Sequence, residues 1–295
     1  ALITNTTGSS NTALGRLALY LSTTASENTA VGYGSLYNNT TGTQSVAVGK
    51  DSLFDLTTGD GNAALGYEAG ANATTDPDHC VFVGYQAGGG AALTGHDNVY
   101  VGMRAGLDNT SGNQNVGIGR EALADVTTGI GNTAVGYKSG FAITTADNNT
   151  SMGRDSLLVA TTGHSNTALG REAMKRTTTG TYNTSTGFEC LKENTTGPYN
   201  SAFGAYALQL GTASINATSG DYNTSIGYQA FQDMTSSSDA NTAVGAFSGN
   251  NLTSGATNNV FVGYNTITNS GGDDYQITIG TDIDSVGSEY TTFGN

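Results

Sequence analysis

The chain has 295 residues, of which 12% are charged, 43 are glycine and 2 are proline, a balance that fits neither a charge-driven disordered chain nor a proline-rich one. Its 10 basic and 24 acidic residues leave a formal charge of −14, which repels phosphate backbones and anionic lipid surfaces and speaks against nucleic acid as a partner. No stretch approaches the ~18 consecutive apolar residues of a membrane helix, and Ala1-Leu2-Ile3-Thr4 carries no charged segment leading into an apolar one, so no membrane insertion by this segment is expected.

A glycine recurs along the whole chain, at Gly15, Gly32, Gly49, Gly66, Gly84, Gly102, Gly119, Gly136, Gly153, Gly170, Gly187, Gly204, Gly227, Gly245, Gly263, Gly280 and Gly294; of these 16 intervals, 10 are 17 residues long and 4 are 18. A short period kept this strictly predicts one structural unit copied in a line. The expected fold is all-β, a parallel β-solenoid (β-roll) of about sixteen 17–18-residue coils in a single continuous repeat domain over 1–295. Such a body offers ladders of side chains and no obvious cleft.

With Asn28 as position one, a unit reads Asn-Thr-Ala-Val-Gly-Tyr-Gly-Ser-Leu, followed by a turn rich in Asn, Thr and Gly. Positions two to four alternate as a short strand does. Position four (Val31, Val48, Leu65, Val83, Ile118, Val135 and their equivalents) is read as an inward column of large apolar groups. Position nine (Leu19, Leu36, Leu53, Leu123, Leu157, Met174) is read as a second inward knob. Position three is usually Ala or Ser (Ala13, Ala30, Ala47, Ala64, Ala134, Ser151) and is assigned to the opposite strand face. Small residues on one face allow another backbone to approach. That face is expected to pack against copies of itself, with a homotrimer about a long axis as the simplest closed arrangement. The alternative is that Ala and Gly fill the narrow interior of a lone solenoid.

Asparagine at position one (Asn11, Asn28, Asn62, Asn98, Asn115, Asn132, Asn166) is expected to stack and to hydrogen-bond coil to coil. Thr-Thr pairs recur at Thr40, Thr57, Thr74, Thr127, Thr144, Thr161, Thr178 and Thr195 with their following threonines, mostly leading into a glycine that suggests a turn with positive φ. An aromatic takes position three in Val81-Phe82-Val83, Val99-Tyr100-Val101 and Val260-Phe261-Val262, while glycine replaces leucine at position nine in Gly70, Gly88, Gly106, Gly140 and Gly249. These are read as compensating volumes. Cys80 and Cys190 fall six coils apart, roughly 28 Å at ~4.8 Å per stacked strand, too far for an intrachain disulfide.

Tyr33, Tyr67, Tyr85, Tyr137, Tyr228 and Tyr264 share position six and are candidates for carbohydrate contact through their ring faces, with packing at a protomer junction as the other reading. His79 and His96, beside Asp76, Asp78 and Asp97, are read as solvated turn residues before a metal site. Asp273, Asp274, Asp282 and Asp284 form an acidic cluster with oxygen ligands of the kind Ca²⁺ takes, against which stands the reading as ordinary exposed turns. Basic residues gather at positions six and seven, several followed by an acid, as in Lys50-Asp51, Arg120-Glu121, Arg154-Asp155 and Arg171-Glu172, and predict ladders of ion pairs. The interval from Gly204 to Gly227 holds six extra residues, placed in a surface loop at 209–222. No catalytic set emerges. Gly88-Gly89-Gly90 lacks the strand-to-helix context and the lysine of a phosphate loop.

Asn132-Thr133-Ala134-Val135-Gly136-Tyr137-Lys138-Ser139-Gly140 and Asn166-Thr167-Ala168-Leu169-Gly170-Arg171-Glu172-Ala173-Met174, joined by Thr-Thr-Gly turns, resemble the repeats of bacteriophage tail fibres. Ser45-Val46-Ala47-Val48-Gly49 is similar to the head repeat of trimeric autotransporter adhesins, although the period here is longer and no chaperone domain is visible at the C-terminal end. The resemblance covers nearly the whole chain and implies a left-handed parallel β-roll assembled as a homotrimer. It further implies attachment to a cell-surface glycan or protein receptor, on an extracellular, cell-surface or virion-borne fibre without enzymatic activity. The chain opens within a turn and closes on what looks like the beginning of another unit, so end-to-end stacking into a filament is an alternative. Another is ice binding by the threonine ladder.

Overall fold

The computed structural model describes residues 1–74, 77–209, 220–234, 237–252, 255–268 and 272–294. They are all-β, without a helix among them, and their strands form a parallel β-solenoid. Two compact units are distinguished, Ala1–Asn148 and Asn149–Asn295.

The first unit holds β1 (Thr12–Leu14), β2 (Thr29–Val31), β3 (Val46–Val48), β4 (Ala63–Leu65), β5 (Val81–Val83), β6 (Val99–Val101), β7 (Val116–Ile118) and β8 (Thr133–Val135). Each pairs in parallel with the next, so Val31 lies opposite Val48 and Val48 opposite Leu65. The second unit holds β9 (Thr150–Met152), β10 (Thr167–Leu169), β11 (Thr184–Thr186), β12 (Ser201–Phe203), β13 (Thr224–Ile226), β14 (Thr242–Val244), β15 (Val260–Tyr264), β16 (Ile277–Thr281) and β17 (Thr291–Phe293), again paired in parallel and in chain order. The long interval before Gly227 does not disturb the register, since Ser201 still opposes Thr224. Most of the expected loop at 209–222 lies outside the described residues.

The two strand faces are the reverse of the first expectation and follow the alternative, in which alanine fills the narrow interior. Ala30, Ala47, Ala134 and Ala168 at position three are completely buried, whereas Leu65 at position four is 53% exposed and Met152 is 46% exposed. Position three therefore points into the coil, and position four points out. The leucine at position nine does point inward, as expected: Leu19, Leu36, Leu53, Leu123 and Leu157 are fully buried. A coil this narrow brings its walls together, and a small residue on the strand leaves space for the leucine arriving from the far side. The interior is thus filled by one large and one small column, and the small face is unavailable for packing between copies.

Where the pattern switches, the volumes trade places. Phe82, Tyr100 and Phe261 at position three are fully buried. A Cβ built on Gly88 would run into the Phe82 ring, one on Gly106 into the Tyr100 ring, and one on Gly249 into the Phe231 and Phe261 rings. The aromatic occupies the space that leucine leaves.

The asparagine column is a chain of backbone-satisfying amides. Asn166 Nδ2 donates to the Gly180 carbonyl at 2.8 Å, closing its own coil, and its Oδ1 accepts the Asn183 N–H of the next coil at 2.9 Å. Asn28, Asn98, Asn183 and Asn241 repeat both bonds. These side chains are buried, where an unpaired backbone group is costly. Cys80 takes an asparagine's place: its thiol donates to the Gly95 carbonyl at 3.4 Å and accepts the Asn98 N–H at 3.5 Å.

The glycine of the Thr-Thr-Gly turn does not have the positive φ expected of it. At Gly42 the constraint is space, because a Cβ there would press on the Gly59 carbonyl of the next coil. Positive φ falls instead on the repeat glycine, as at Gly32 (φ 138°) and Gly49 (φ 138°), and on non-glycine residues, among them Gln44 (φ 57°), Asp51 (φ 55°) and Leu53 (φ 48°). The intercoil hydrogen bonds hold them there, as from Asp51 N–H to the Tyr33 carbonyl at 2.8 Å and from Leu53 N–H to the Ala69 carbonyl at 2.9 Å.

Candidate functional site

The candidate sites are surfaces. The most extended is the outward strand face. Position four presents Leu14, Leu65 and Ile118 in the first unit, and Met152, Phe203 and Ile226 in the second, all exposed. Position two adds Val46, exposed, and half-buried Val81, Val99 and Val116. In-register pairing stacks these side chains into apolar columns at strand spacing, about 4.8 Å per step. Soluble monomers rarely leave large contiguous apolar patches in water.

Beyond the glycine corner stand the position-six tyrosines. Tyr33, Tyr67, Tyr85, Tyr137, Tyr228 and Tyr264 are all exposed. Their surroundings differ. Tyr67 and Tyr85 stack at 5.3 Å between centroids, and the Lys50 ammonium lies 5.0 Å from the Tyr67 centroid and 5.9 Å from that of Tyr33. Tyr137 is flanked by Arg120 and Lys138. In the second unit Tyr228 and Tyr264 belong to an edge-to-face zigzag running Phe188, Tyr206, Tyr228, Phe247, Tyr264, with centroids 5.2 to 6.1 Å apart. A cation over one ring face and edge-on neighbours at another leave the six rings unequal in what they offer a ligand.

The threonine column is bonded into the coil stack. The hydroxyls of Thr40, Thr57, Thr127, Thr161 and Thr178 donate to the carbonyls of Thr57, Thr74, Thr144, Thr178 and Thr195 respectively, at 3.0 to 3.4 Å. The second threonine of a pair, as at Thr41 and Thr128, is exposed. Thr75, partner of Thr74, lies outside the described residues.

His96 Nδ1 accepts the Asp78 N–H at 3.2 Å and lies 3.8 Å from the Asp78 carboxylate, while His79 Nδ1 lies 3.9 Å from that of Asp97. Asp76 lies outside the described residues. At the proposed calcium cluster, Asp274 accepts the Thr257 N–H at 2.6 Å, Asp273 accepts the Ser288 hydroxyl at 3.1 Å, and Asp282 accepts Asn265 Nδ2 at 2.8 Å. These three carboxylates are bonded to neighbouring coils, and no group of three acid, histidine or cysteine side chains suited to a metal is found among the described residues.

The expected neighbour ion pairs form: Lys50–Asp51 at 2.8 Å, Arg120–Glu121 at 3.2 Å, Arg154–Asp155 at 3.1 Å and Arg171–Glu172 at 3.3 Å. Glu172 is also reached by Lys192 at 2.9 Å and Lys175 at 3.3 Å. The hydrogen bond from Lys192 and then that from Lys175 hold its carboxyl well below the usual range, at about 2, against the opposing effect of burial. Cys80 and Cys190 are free and buried, and loss of hydration pushes both thiols up to about 11.

Sequence reasoning missed the outward apolar face because it placed those residues inside. The triplet Val46-Ala47-Val48 offers no signal that separates the faces, since its two valines share one face, alanine takes the other, and both are apolar. No protein-family model matches the chain, and the searches of curated proteins and of solved structures return no match either.

Proposed function

We propose that the chain is a structural segment of an attachment fibre, without enzymatic activity, in which copies of the solenoid associate through their outward strand faces. The observation behind this reading is the exposed position-four residues of each unit, Leu65 and Ile118 in the first and Met152, Phe203 and Ile226 in the second, all turned to solvent. Burial of apolar area stabilises association by about 25 cal/mol per Å², and a column repeated at every coil multiplies that term along the contact. A homotrimer about a long axis closes such a contact, and a virion-borne or cell-surface fibre, of the tail-fibre or adhesin-stalk kind, is the role that fits. The partners would then be two further copies of the chain and a glycan or protein receptor at the cell surface.

Light scattering after size exclusion tests the assembly. A mass of three times the 29.9 kDa chain is expected. Replacing Leu65 and Ile118 together by lysine should return it to the monomer mass with an unchanged β-type circular dichroism spectrum, because neither side chain contributes to the coil interior. A wild-type protein that runs as a monomer at all concentrations tested would exclude the self-associating fibre.

A further inference from the structure

The first unit carries a second aromatic column, at position ten, and it stops short. Tyr20, Tyr37 and Phe54 stack face to face, with centroids 5.2 and 4.9 Å apart and ring planes within 10° of parallel. The next two coils place Ala71 and Gly89 at that position. The stack thus ends on Phe54, and the places where further rings would continue it hold one methyl group and none.

An open groove of about 560 Å³ lies there, between the position-six and position-seven ridge (Tyr33, Asp51, Glu68) and the position-ten and position-eleven ridge (Phe54, Asp55, Ala71). Its lining runs from Leu17 to Gly89, across five successive coils, which at strand spacing is about 19 Å. The volume is in the usual range for small-ligand sites. Three carboxylates face it: Asp51, paired with Lys50 at 2.8 Å; Asp55, which accepts Asn38 Nδ2 at 2.9 Å; and Glu68, which accepts Gln86 Nε2 at 2.8 Å. One cation, Lys50, serves them: it pairs with Asp51 and also acts on Glu68 through space, so among the described residues the groove keeps an excess of negative charge.

We propose that this groove binds a linear oligosaccharide of amino sugars, one ring seated over Ala71 as the continuation of the Phe54 stack and its ammonium group facing Asp55 and Glu68. The interrupted stack calls for a flat-faced ring at coil spacing. The carboxylates call for a cation and for hydroxyl donors, and the length of the groove calls for several rings in a row. The protein displays the same pairing within its own chain, since the Lys50 ammonium sits against the Asp51 carboxylate and over the Tyr67 ring. Of the tyrosines expected to contact carbohydrate, Tyr33 alone lines the groove, and the other lining aromatics are Tyr37 and Phe54. This inference rests on the attachment reading and names the class of surface molecule attached. The groove uses positions six, seven, ten and eleven, whereas the associating face uses two and four.

Calorimetric titration of the full chain with a glucosamine tetramer and with its fully N-acetylated counterpart tests the proposal. The free-amine tetramer should bind at least about tenfold more tightly, the loss of a single charge-assisted contact accounting for that ratio, and its affinity should fall as salt is raised. Ala71→Phe, which extends the stack into the ligand's place, should abolish binding. Position ten carries an aromatic in other coils, so this variant should keep the wild-type dichroism. Asp55→Asn should weaken the free-amine tetramer about tenfold and leave the acetylated one unchanged. Absence of binding to both tetramers, equal affinity for both, or binding that survives Ala71→Phe would each overturn the assignment. Light scattering on the same samples separates the two readings: a trimer that does not bind removes the groove alone, and a monomer that binds removes the assembly alone.

Discussion

Replacing Asn166 by leucine removes one member of the asparagine column while keeping its volume. Two backbone groups lose their partners, the Gly180 carbonyl at 2.8 Å and the Asn183 N–H at 2.9 Å. Asn149 Oδ1 keeps the Asn166 N–H, and Asn183 Nδ2 keeps the Gly197 carbonyl, so the damage is confined to those two. Asn166 is fully buried, and water does not replace the lost bonds. An orphaned buried group costs about 1–3 kcal/mol, so the substitution should cost about 2–6 kcal/mol, a large part of the ~5–15 kcal/mol that holds an ordinary domain together. Repeat arrays depart from two-state unfolding, so the guanidinium midpoint by circular dichroism should be read alongside hydrogen exchange at single amides. The midpoint should fall, and Asn183 N–H should lose protection before the N–H groups of distant coils. A midpoint within error of wild type, with Asn183 N–H as protected as before, would refute the argument that the column exists to satisfy the backbone.

Gly88→Leu restores the leucine of the common repeat but drives a side chain into the Phe82 ring. It should cost about 1–3 kcal/mol as overpacking, and Phe82→Ala should recover part of that loss in a double-mutant cycle. Strict additivity would show that the two sites do not share one volume. Glu172 has a folded pKa of about 2, below its unfolded value, so its contribution to stability is complete above the ordinary carboxylate range and is lost as pH falls toward 2. Acid titration of Glu172→Gln should accordingly show a shallower loss of stability between pH 4.5 and pH 2 than wild type, and parallel curves would dissociate the ion-pair cluster from acid sensitivity. Cys80 and Cys190, buried with thiols near 11, should resist a thiol reagent at neutral pH until denaturant opens the coils. Rapid reaction of either in the native protein would contradict its placement.

The period, the strand positions and the asparagine bonds were legible because each depends on spacing alone: Gly32, Gly49 and Gly66 mark the corners, and Asn98, Asn115 and Asn132 fall at one place in successive coils. Which face of the strand lies inside was not. A strand of three residues offers one side chain to one face and two to the other, and in Val46-Ala47-Val48 either face is apolar. Size was a misleading guide, since the interior of a narrow coil takes its bulk from Leu53 and has space only for an alanine opposite. The exchange between Phe82 and Gly88 was readable because two departures from the repeat, an aromatic at position three and a glycine at position nine, coincide in one coil. The groove beside Phe54 was not, because it arises where Ala71 and Gly89 lack what Tyr20, Tyr37 and Phe54 supply, and a missing ring becomes visible only once the stack is seen to run in that direction.

Nearly every strand pairing in both units joins a segment to the one 17 or 18 residues further along, as Thr29 to Val46 and Ala63 to Val81. A nascent chain can therefore complete one turn against the last as soon as those few residues leave the ribosome, without waiting for a distant partner to be synthesised. Assembly then advances from the N-terminal end at the pace of translation, and the exposed edge awaiting a neighbour is never more than one short strand wide.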